Sequence, residues 1–422
     1  MNGHLTRGTL ENVFRRESGR IVSLLARQVG MDHVDKVEDA VQEAMLKALQ
    51  QWRFLEVPSN PGGWLLRVAK NHLVDTLRRE RTFKEKEGEI VEELEFLLSK
   101  NSDDMIAAEI EDDQLRMMFV CCHPSLSQES QIALILKILC GLSSKEIARA
   151  FLTNEETVHK RLTRAKGILR ERKIELVIPS ARELPERRAP VLSTLYLLFN
   201  EGYNSSHGEQ LMRKELCDEA IYLARMLEAH QVGDVPAVHA LLAMMLLQRS
   251  RFAARLNDAG DLMRLDDQDR ALWDRAMISD GLRFLDLSAS GDEVTEYHLQ
   301  AGIAACHCIA KDYESTDWKR ILTLYDLLEQ INDSPIVSLN RAVAVARVHG
   351  PAKGIHAVQD IRKKNRLDGY YLLYAVLGEL HLEMRRFEEA AKCYREALRL
   401  TELKSERTFL LGKLEVISHN VN

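Results

Sequence analysis

Apolar residues recur at helical spacing along the whole chain, with no convincing alternating run or two-residue hairpin turn among them. Proline and glycine, which break such periodicity, are sparse and cluster at Pro58 to Gly63, Pro124, Pro179 to Pro190 and Gly350-Pro351. The pattern predicts an all-α fold. At 422 residues the chain is too long for one ordinary core, so it should divide into two or three domains. The breaks delimit four blocks: a helical bundle over 8–83, an acidic connector over 84–112, a second small bundle over 113–175, and a larger all-helical region over 176–422 that opens with the link IPSARELPERRAP.

Several function classes drop out early. No apolar run approaches the roughly 18 residues needed to span a bilayer, and the N-terminal MNGHLTRGTLENVFRRESGR lacks the apolar stretch of a secretory signal. A cytoplasmic protein without membrane contact is expected. The seven cysteines are odd in number and sit mostly in apolar helical stretches, which argues against a disulfide scaffold. Cys121-Cys122-His123 and Cys306-His307-Cys308 lack a CxxC partner, and adjacent side chains converge poorly on one ion. Buried thiols are the better reading, and no metal or cofactor is expected. The sequence holds no phosphate loop, nucleophile elbow or HExxH, so no catalytic residue is assigned and the chain does not read as an enzyme.

The net charge of −6 seems to argue against a nucleic-acid binder, but the two signs are segregated. Basic residues crowd 67–86 and 160–173, while acidic ones crowd 85–113. Local patches decide phosphate binding. Two capping boxes, Ser143-x-x-Glu146 and Thr153-x-x-Glu156, start two short helices ten residues apart, and the second helix is strongly basic. That is the pattern of a helix-turn-helix whose second helix enters the DNA major groove.

Upstream, a helix from about Gly62 to Thr82 places Leu66, Ala69, Leu73 and Leu77 on one side, with Leu65 at its edge. Arg67, Asn71, Arg78 and Arg81 lie opposite, with Lys70 beside them and Trp64 at the border of the basic side. Such a stripe suits a nucleic-acid backbone with a base stacked on the indole. It equally suits a solvated cationic face with Trp64 against the core. The preceding helix, Val37 to Trp52, turns Ala40, Val41, Ala44, Met45, Ala48 and Leu49 inward and leaves Asp39, Gln42, Glu43 and Lys47 outside.

The run from Val37 to Ala48 resembles the sigma-2 helix of extracytoplasmic-function (ECF) sigma factors, a bacterial sigma-70 subfamily. The run from Trp64 to Arg79 resembles the promoter-melting helix that follows it, and the helix-turn-helix resembles the sigma-4 domain. The family's order is kept over about 8–175. The resemblance implies a promoter-recognising initiation factor whose partners are core RNA polymerase (β′ clamp and β flap) and promoter DNA. Asp39, Gln42, Glu43 and Lys47 would dock on the β′ clamp coiled coil. The loop Leu55 to Gly63, with Asn60, would capture a flipped base of the minus-ten element. Trp64, Arg67, Lys70, Asn71, Arg78, Arg79 and Arg81 would contact that element and its backbone. Ser144, Lys145, Glu156, Thr157, Lys160, Arg161, Arg164 and Lys166 would serve the minus-thirty-five element. Met45 departs from the family, in which an aromatic is common at that place. In this reading the acidic connector follows the positive RNA channel of the polymerase, although Leu94, Phe96, Leu97 and Leu98 equally suit a docking helix.

In the last block, Tyr374-x-x-Leu377-Gly378-x-x-His381 followed by Ala390-x-x-x-Tyr394-x-x-Ala397 matches tetratricopeptide (TPR) spacing, except that Glu402 stands where a proline is expected. Ser338 to Ile361 and Glu219 to Leu247 read as further helical pairs, so TPR-like hairpins should fill about 190–415. This half resembles the long extension of one ECF subgroup. Asn200, Glu201, Tyr203, Asp267, Arg270 and Trp273 are candidates for a groove that takes a peptide, a ligand or another face of the same protein. The alternative is structural, with Asn200 and Asp266 capping helices and Arg270 pairing a carboxylate. For the whole chain, the competing reading is a helix-turn-helix regulator whose helical domain binds a ligand or peptide, which leaves the Trp64–Arg81 helix without a task. A TPR scaffold with incidental basic helices explains neither DNA-facing module.

Overall fold

A computed structural model describes residues 7–52, 57–80, 103–150, 153–203, 213–257, 263–363, 367, 369–402 and 404–421. Among these, eighteen α-helices and three short 3-10 turns are formed and no strand. The chain divides into two compact units. The first takes Met1–Gly202 and Lys214–Leu227, the second Tyr203–Arg213 and Glu228–Asn422.

The first unit begins with α1 (Arg7–Val29), α2 (Val34–Gln51) and α3 (Pro61–Glu80). Its core is made by Leu25, Val37, Ala40, Ala44, Leu65, Ala69, Leu73 and Leu77, all at most 2% exposed. Leu65, rather than Leu66, is the fully buried member of the α3 stripe. Leu49 departs further from its expected place: it is 46% exposed and Leu46 beside it 53%, so the outer face of α2 is amphipathic.

α4 (Asp103–Cys121) starts inside the stretch expected to be connector, because Met105 to Ile110 continue the helical pattern. Residues 81–102, with most of the acidic run and Arg81, lie outside the described residues. Asp113 on α4 is wholly buried and takes Arg27 of α1 at 3.1 Å and Arg116 at 2.7 Å. Burial nevertheless holds its pKa above the ordinary value, against the pull of both arginines. α5 (Gln128–Ile138), α6 (Ser144–Ala150) and α7 (Glu155–Glu171) follow, capped by Ser127, Ser143 and Asn154.

α1 crosses the end of α5 at Gly19, where a Cβ would lie 2.0 Å from the Leu139 carbonyl oxygen. Only glycine permits that approach. α8 (Leu184–Tyr203) and most of α9 (Lys214–Ala229) also belong to this unit. Arg187 of α8 donates to the buried Phe119 carbonyl of α4, and the Tyr222 hydroxyl of α9 donates to Gln114 at 3.3 Å. The first compact unit thus runs past residue 176 and takes in α8 up to Gly202 and most of α9.

The second unit is a run of helices, each packed on the next: α10 (Pro236–Arg249), α11 (Arg275–Ser288), α12 (Glu296–Ile309), α13 (Trp318–Ile331), α14 (Pro335–His349), α15 (Pro351–Lys363), α16 (Tyr371–Glu383), α17 (Phe387–Leu400) and α18 (Lys404–Val421). α10 also packs against α12. Tyr394 of α17 lies fully buried against Gly378 of α16, where an added Cβ would meet its ring at 2.8 Å.

Candidate nucleic-acid interface

Two basic surfaces emerge in the first unit. On α3, Arg67, Asn71, Arg78 and Arg79 are exposed, opposite the buried leucines. Asn60 is exposed too, and its side chain caps the helix by accepting from the Gly63 amide at 2.9 Å. Trp64 is half-buried, its ring 5.4 Å from Trp52, which in turn sits 5.7 Å from Phe14. The indole is thus anchored by a second tryptophan while keeping an accessible edge. Lys70 departs from its expected place on the basic stripe. It is 6% exposed, and burial lowers its pKa to about 8. Leu55 and Glu56 of the preceding loop lie outside the described residues.

On the opposite flank, Asp39 and Gln42 of α2 are exposed. Glu43 and Lys47 are half-buried and form an i,i+4 pair at 3.8 Å. Together with the exposed Leu46 and Leu49 they make a mixed polar and apolar surface.

The helix-turn-helix is α6–α7. The α6 cap is reciprocal as its spacing predicts: Ser143 Oγ accepts from the Glu146 amide at 3.2 Å, and the Glu146 carboxylate accepts from the Ser143 amide at 2.8 Å. The second box is not formed as expected. Asn154, not Thr153, is the cap of α7, its side chain accepting from the Thr157 amide at 2.8 Å. Asparagine competes well for this position, and its reach shifts the helix start by one residue. Val158, Leu162, Ala165 and Leu169 turn inward. Glu156, Lys160 and Arg164 are exposed, Thr157 and Arg161 half-buried, and Glu156 pairs with Lys160 at 2.6 Å. On α6, Lys145 is exposed and Ser144 half-buried.

Lys166 is placed differently. Its ammonium is held by Asp35 at 2.9 Å and by Glu38, its side chain is 13% exposed, and Arg170 adds a second bond to Asp35 at 2.6 Å. Burial works against the Lys166 charge, but Glu38 and Asp35 outweigh it and raise the pKa. For Asp35, burial pulls upward and is outweighed by Lys166 and Arg170, which lower it. One of the residues expected to face DNA therefore faces its own chain.

Comparisons with known proteins bear on this arrangement. Residues 13–83 match Sigma-70 region 2, residues 116–169 match Sigma-70, region 4, and residues 187–289 match a family of unknown function (DUF6596). A protein of Rhizobium meliloti (strain 1021), described as uncharacterized protein R00370, is 38% identical over 384 residues, covering 91% of this chain and 90% of that one. The chain belongs to the sigma-70 family. α1–α3 are its region 2, α4–α7 its region 4, and an all-helical extension follows. Members of this family are transcription initiation factors, with regions 2 and 4 as their promoter-recognising parts.

The residues expected to form a groove in the extension are differently employed. Trp273 is 2% exposed and part of a core cluster. Arg270 lies 4.6 Å over the Trp273 ring and donates to the carbonyls of His307 and Ala310, both at 2.7 Å, at the end of α12, rather than pairing with a carboxylate. Tyr203 stacks under Arg255 at 3.8 Å and accepts from Arg251. Asn200 and Glu201 lie within α8 and are half-buried, Asp267 is exposed, and Asp266 pairs with Arg264 at 2.8 Å.

A cavity of about 370 Å³ lies elsewhere in the second unit, lined by Tyr313, Trp318, Tyr325, Arg347, Glu379 and Phe409 among others. Glu379 on its wall accepts from Arg264 at 2.7 Å and from the Tyr394 hydroxyl at 2.8 Å, and pairs with Lys413 at 3.0 Å. Burial pushes its pKa up, but these partners win and hold it at about 2. No local motif marks this cavity, because its lining is drawn from loops and helices scattered over more than 140 residues. Among the described residues no group of three or more His, Cys, Asp or Glu side chains is placed to hold a metal ion, and no helix is long and apolar enough to cross a membrane.

Proposed function

We propose that the chain is a sigma factor of the ECF type. It binds core RNA polymerase, with α2 on the β′ clamp coiled coil through Asp39, Gln42, Glu43 and Lys47 and region 4 on the β flap. α3 and the residue before it engage the minus-ten element through Asn60, Trp64, Arg67, Asn71, Arg78 and Arg79. α7 reads the minus-thirty-five element from its N-terminal half, with Glu156, Thr157, Lys160, Arg161 and Arg164, assisted by Ser144 and Lys145 of α6. The extension is a TPR-like regulatory part whose partner is a protein, a peptide or the chain itself.

The observation that carries this reading is the joint presence of regions 2 and 4, in the family's order, on a chain whose α2 keeps Asp39 and Gln42 exposed beside Leu46 and Leu49. A self-sufficient DNA-binding regulator has no use for that face. The test is co-elution of the full chain with bacterial core RNA polymerase, together with promoter-dependent transcripts. Asp39→Ala with Gln42→Ala should weaken core binding at least tenfold while leaving the helical content unchanged. Core binding that survived the double substitution would remove α2 from the docking surface.

A further inference from the structure

The cavity of the second unit is walled by rings that touch one another. His307 of α12 meets Trp318 edge-on at 5.4 Å, and Trp318, at the start of α13, meets Tyr313 edge-on at 5.3 Å. These separations are those of favourable aromatic pairs. Tyr325 of α13 and Phe409 of α18 add two further rings, and Val343 of α14 with Val376 of α16 supplies aliphatic surface. None of these side chains is fully buried, so the rings keep area for something else to cover.

Among the described residues, every formal charge on the walls is matched within the chain. Arg264 pairs with Asp266 at 2.8 Å and with Glu379 at 2.7 Å, Arg347 with Glu383 at 2.8 Å, and Glu379 with Lys413 at 3.0 Å. Burial, with the guanidinium groups of Arg251 and Arg270, holds the His307 ring well below its ordinary pKa, so it adds no charge at neutral pH. An anion would have to break one of these pairs or enter a half-buried site unmatched. A cation would find the Tyr313 face already taken by Arg347, 5.7 Å over the ring, and would be repelled by it.

Size and enclosure narrow the class further. About 370 Å³ lies at the small end of the roughly 300–1,000 Å³ that small-molecule sites span. One wall is the loop before α11, which Arg264 ties to Glu379 of α16 across 115 positions of the chain. A peptide laid along this face would have to displace that loop, whereas a compact ring compound sits beside it.

We propose that this cavity is a binding site for a small uncharged aromatic molecule, seated against the Tyr313, Trp318, Tyr325 and Phe409 rings, with the exposed Asn340 amide as its hydrogen-bonding contact. The site gives the extension a small-molecule input beside any macromolecular partner, and it stands whether or not the chain binds polymerase. A ligand that touches α13, α14, α16 and α18 together braces helices that are not all neighbours in the chain.

The test titrates the full chain with N-phenylnaphthylamine, an uncharged probe whose fluorescence rises in apolar surroundings, and in parallel with its anionic relative, anilinonaphthalene sulfonate. One molecule of the uncharged probe should bind per chain, at least about tenfold more tightly than the sulfonate. Energy transfer from tryptophan to the bound probe should fall in Trp318→Phe, which keeps a ring at that place. Val343→Trp, which fills the cavity, should weaken binding by about tenfold or more at unchanged helical content. No saturable binding, or binding that Val343→Trp leaves intact, overturns the site. Equal affinity for the sulfonate, or displacement of the probe by benzyltrimethylammonium, overturns the uncharged class. Should Val343→Trp not fold, the unsubstituted chain decides: the bound probe should slow amide hydrogen exchange in residues 318–325 and 372–380 and leave α2 and α7 unchanged. Unchanged exchange in those two segments overturns the site.

Discussion

His307 lies in the interior of the extension, edge-on to Trp318 at 5.4 Å, and its Nδ1 has no hydrogen-bond partner. Burial first, and then the nearby guanidinium groups of Arg251 and Arg270, hold its pKa down at about 3, against an ordinary 6.5. The unfolded chain takes up this proton at higher pH than the folded one does. The stability His307 contributes is therefore complete above about pH 6.5 and is lost as pH falls toward 3, at up to about 1.4 kcal/mol per pH unit. The unfolding free energy of the wild type should fall more steeply between pH 6 and 4 than that of His307→Gln in denaturant titrations. Parallel curves would mean that the ring is charged in the folded protein. At this scale the sequence is legible where partners are local. Ser143 and Glu146, three residues apart, cap α6 as their spacing predicts. It is illegible where partners are distant: Lys166 reads as one more cation of a recognition helix, and only folding brings it to Asp35 and Glu38, more than 120 residues away. Trp273 and Arg270 look like groove residues for the same reason, since their stacking partners and carbonyl acceptors come from other segments.

Among elements, the crossing of α1 over the end of α5 is the least forgiving contact. A methyl group at Gly19 would meet the Leu139 backbone, which has no flexible end to move aside. Gly19→Ala should cost about 1–3 kcal/mol by forcing the two helices apart, read as a lower urea midpoint with an unchanged transition slope. An unchanged midpoint would show that the crossing is looser than described. Helix existence and type follow readily from periodicity, because amphipathic spacing extends over whole elements. Ends are harder to read. The start of α7 depends on whether Thr153 or Asn154 wins the cap, and α4 begins within a stretch whose charge suggests a connector. The outward placement of Leu49 also escapes a two-faced projection, which puts it at the edge of the apolar side.

For the whole molecule, the two compact units do not coincide with the division into promoter-reading regions and extension, and the matches at 13–83 and 116–169 fall within the blocks that composition suggests. The matched region of unknown function, 187–289, runs across the division between the two units. α8 and α9 bury Val191, Leu195, Phe199, Leu216, Ala220 and Leu223 within the first unit, and Arg187 satisfies Phe119 on α4. A chain ending at residue 183 should therefore melt at lower temperature and less cooperatively than one ending at 229, as followed by circular dichroism. Equal melting would show that α8 and α9 are dispensable to region 4. No sequence break announces this, because the proline-rich stretch at 178–190 already contains the first turns of α8, which packs onto what precedes it.

Ionic strength gives the ion pairs between α2 and α7 a signature that no contact map displays. A cation that neutralises a DNA phosphate normally expels a condensed counterion, at about 0.9 per contact on duplex DNA. Lys166 and Arg170 are already neutralised by carboxylates of their own chain. While those pairs hold, neither cation is available to displace a counterion from DNA. The salt dependence of DNA binding then counts the cations that face solvent and not these two, and is shallower than the number of basic residues on α7 implies.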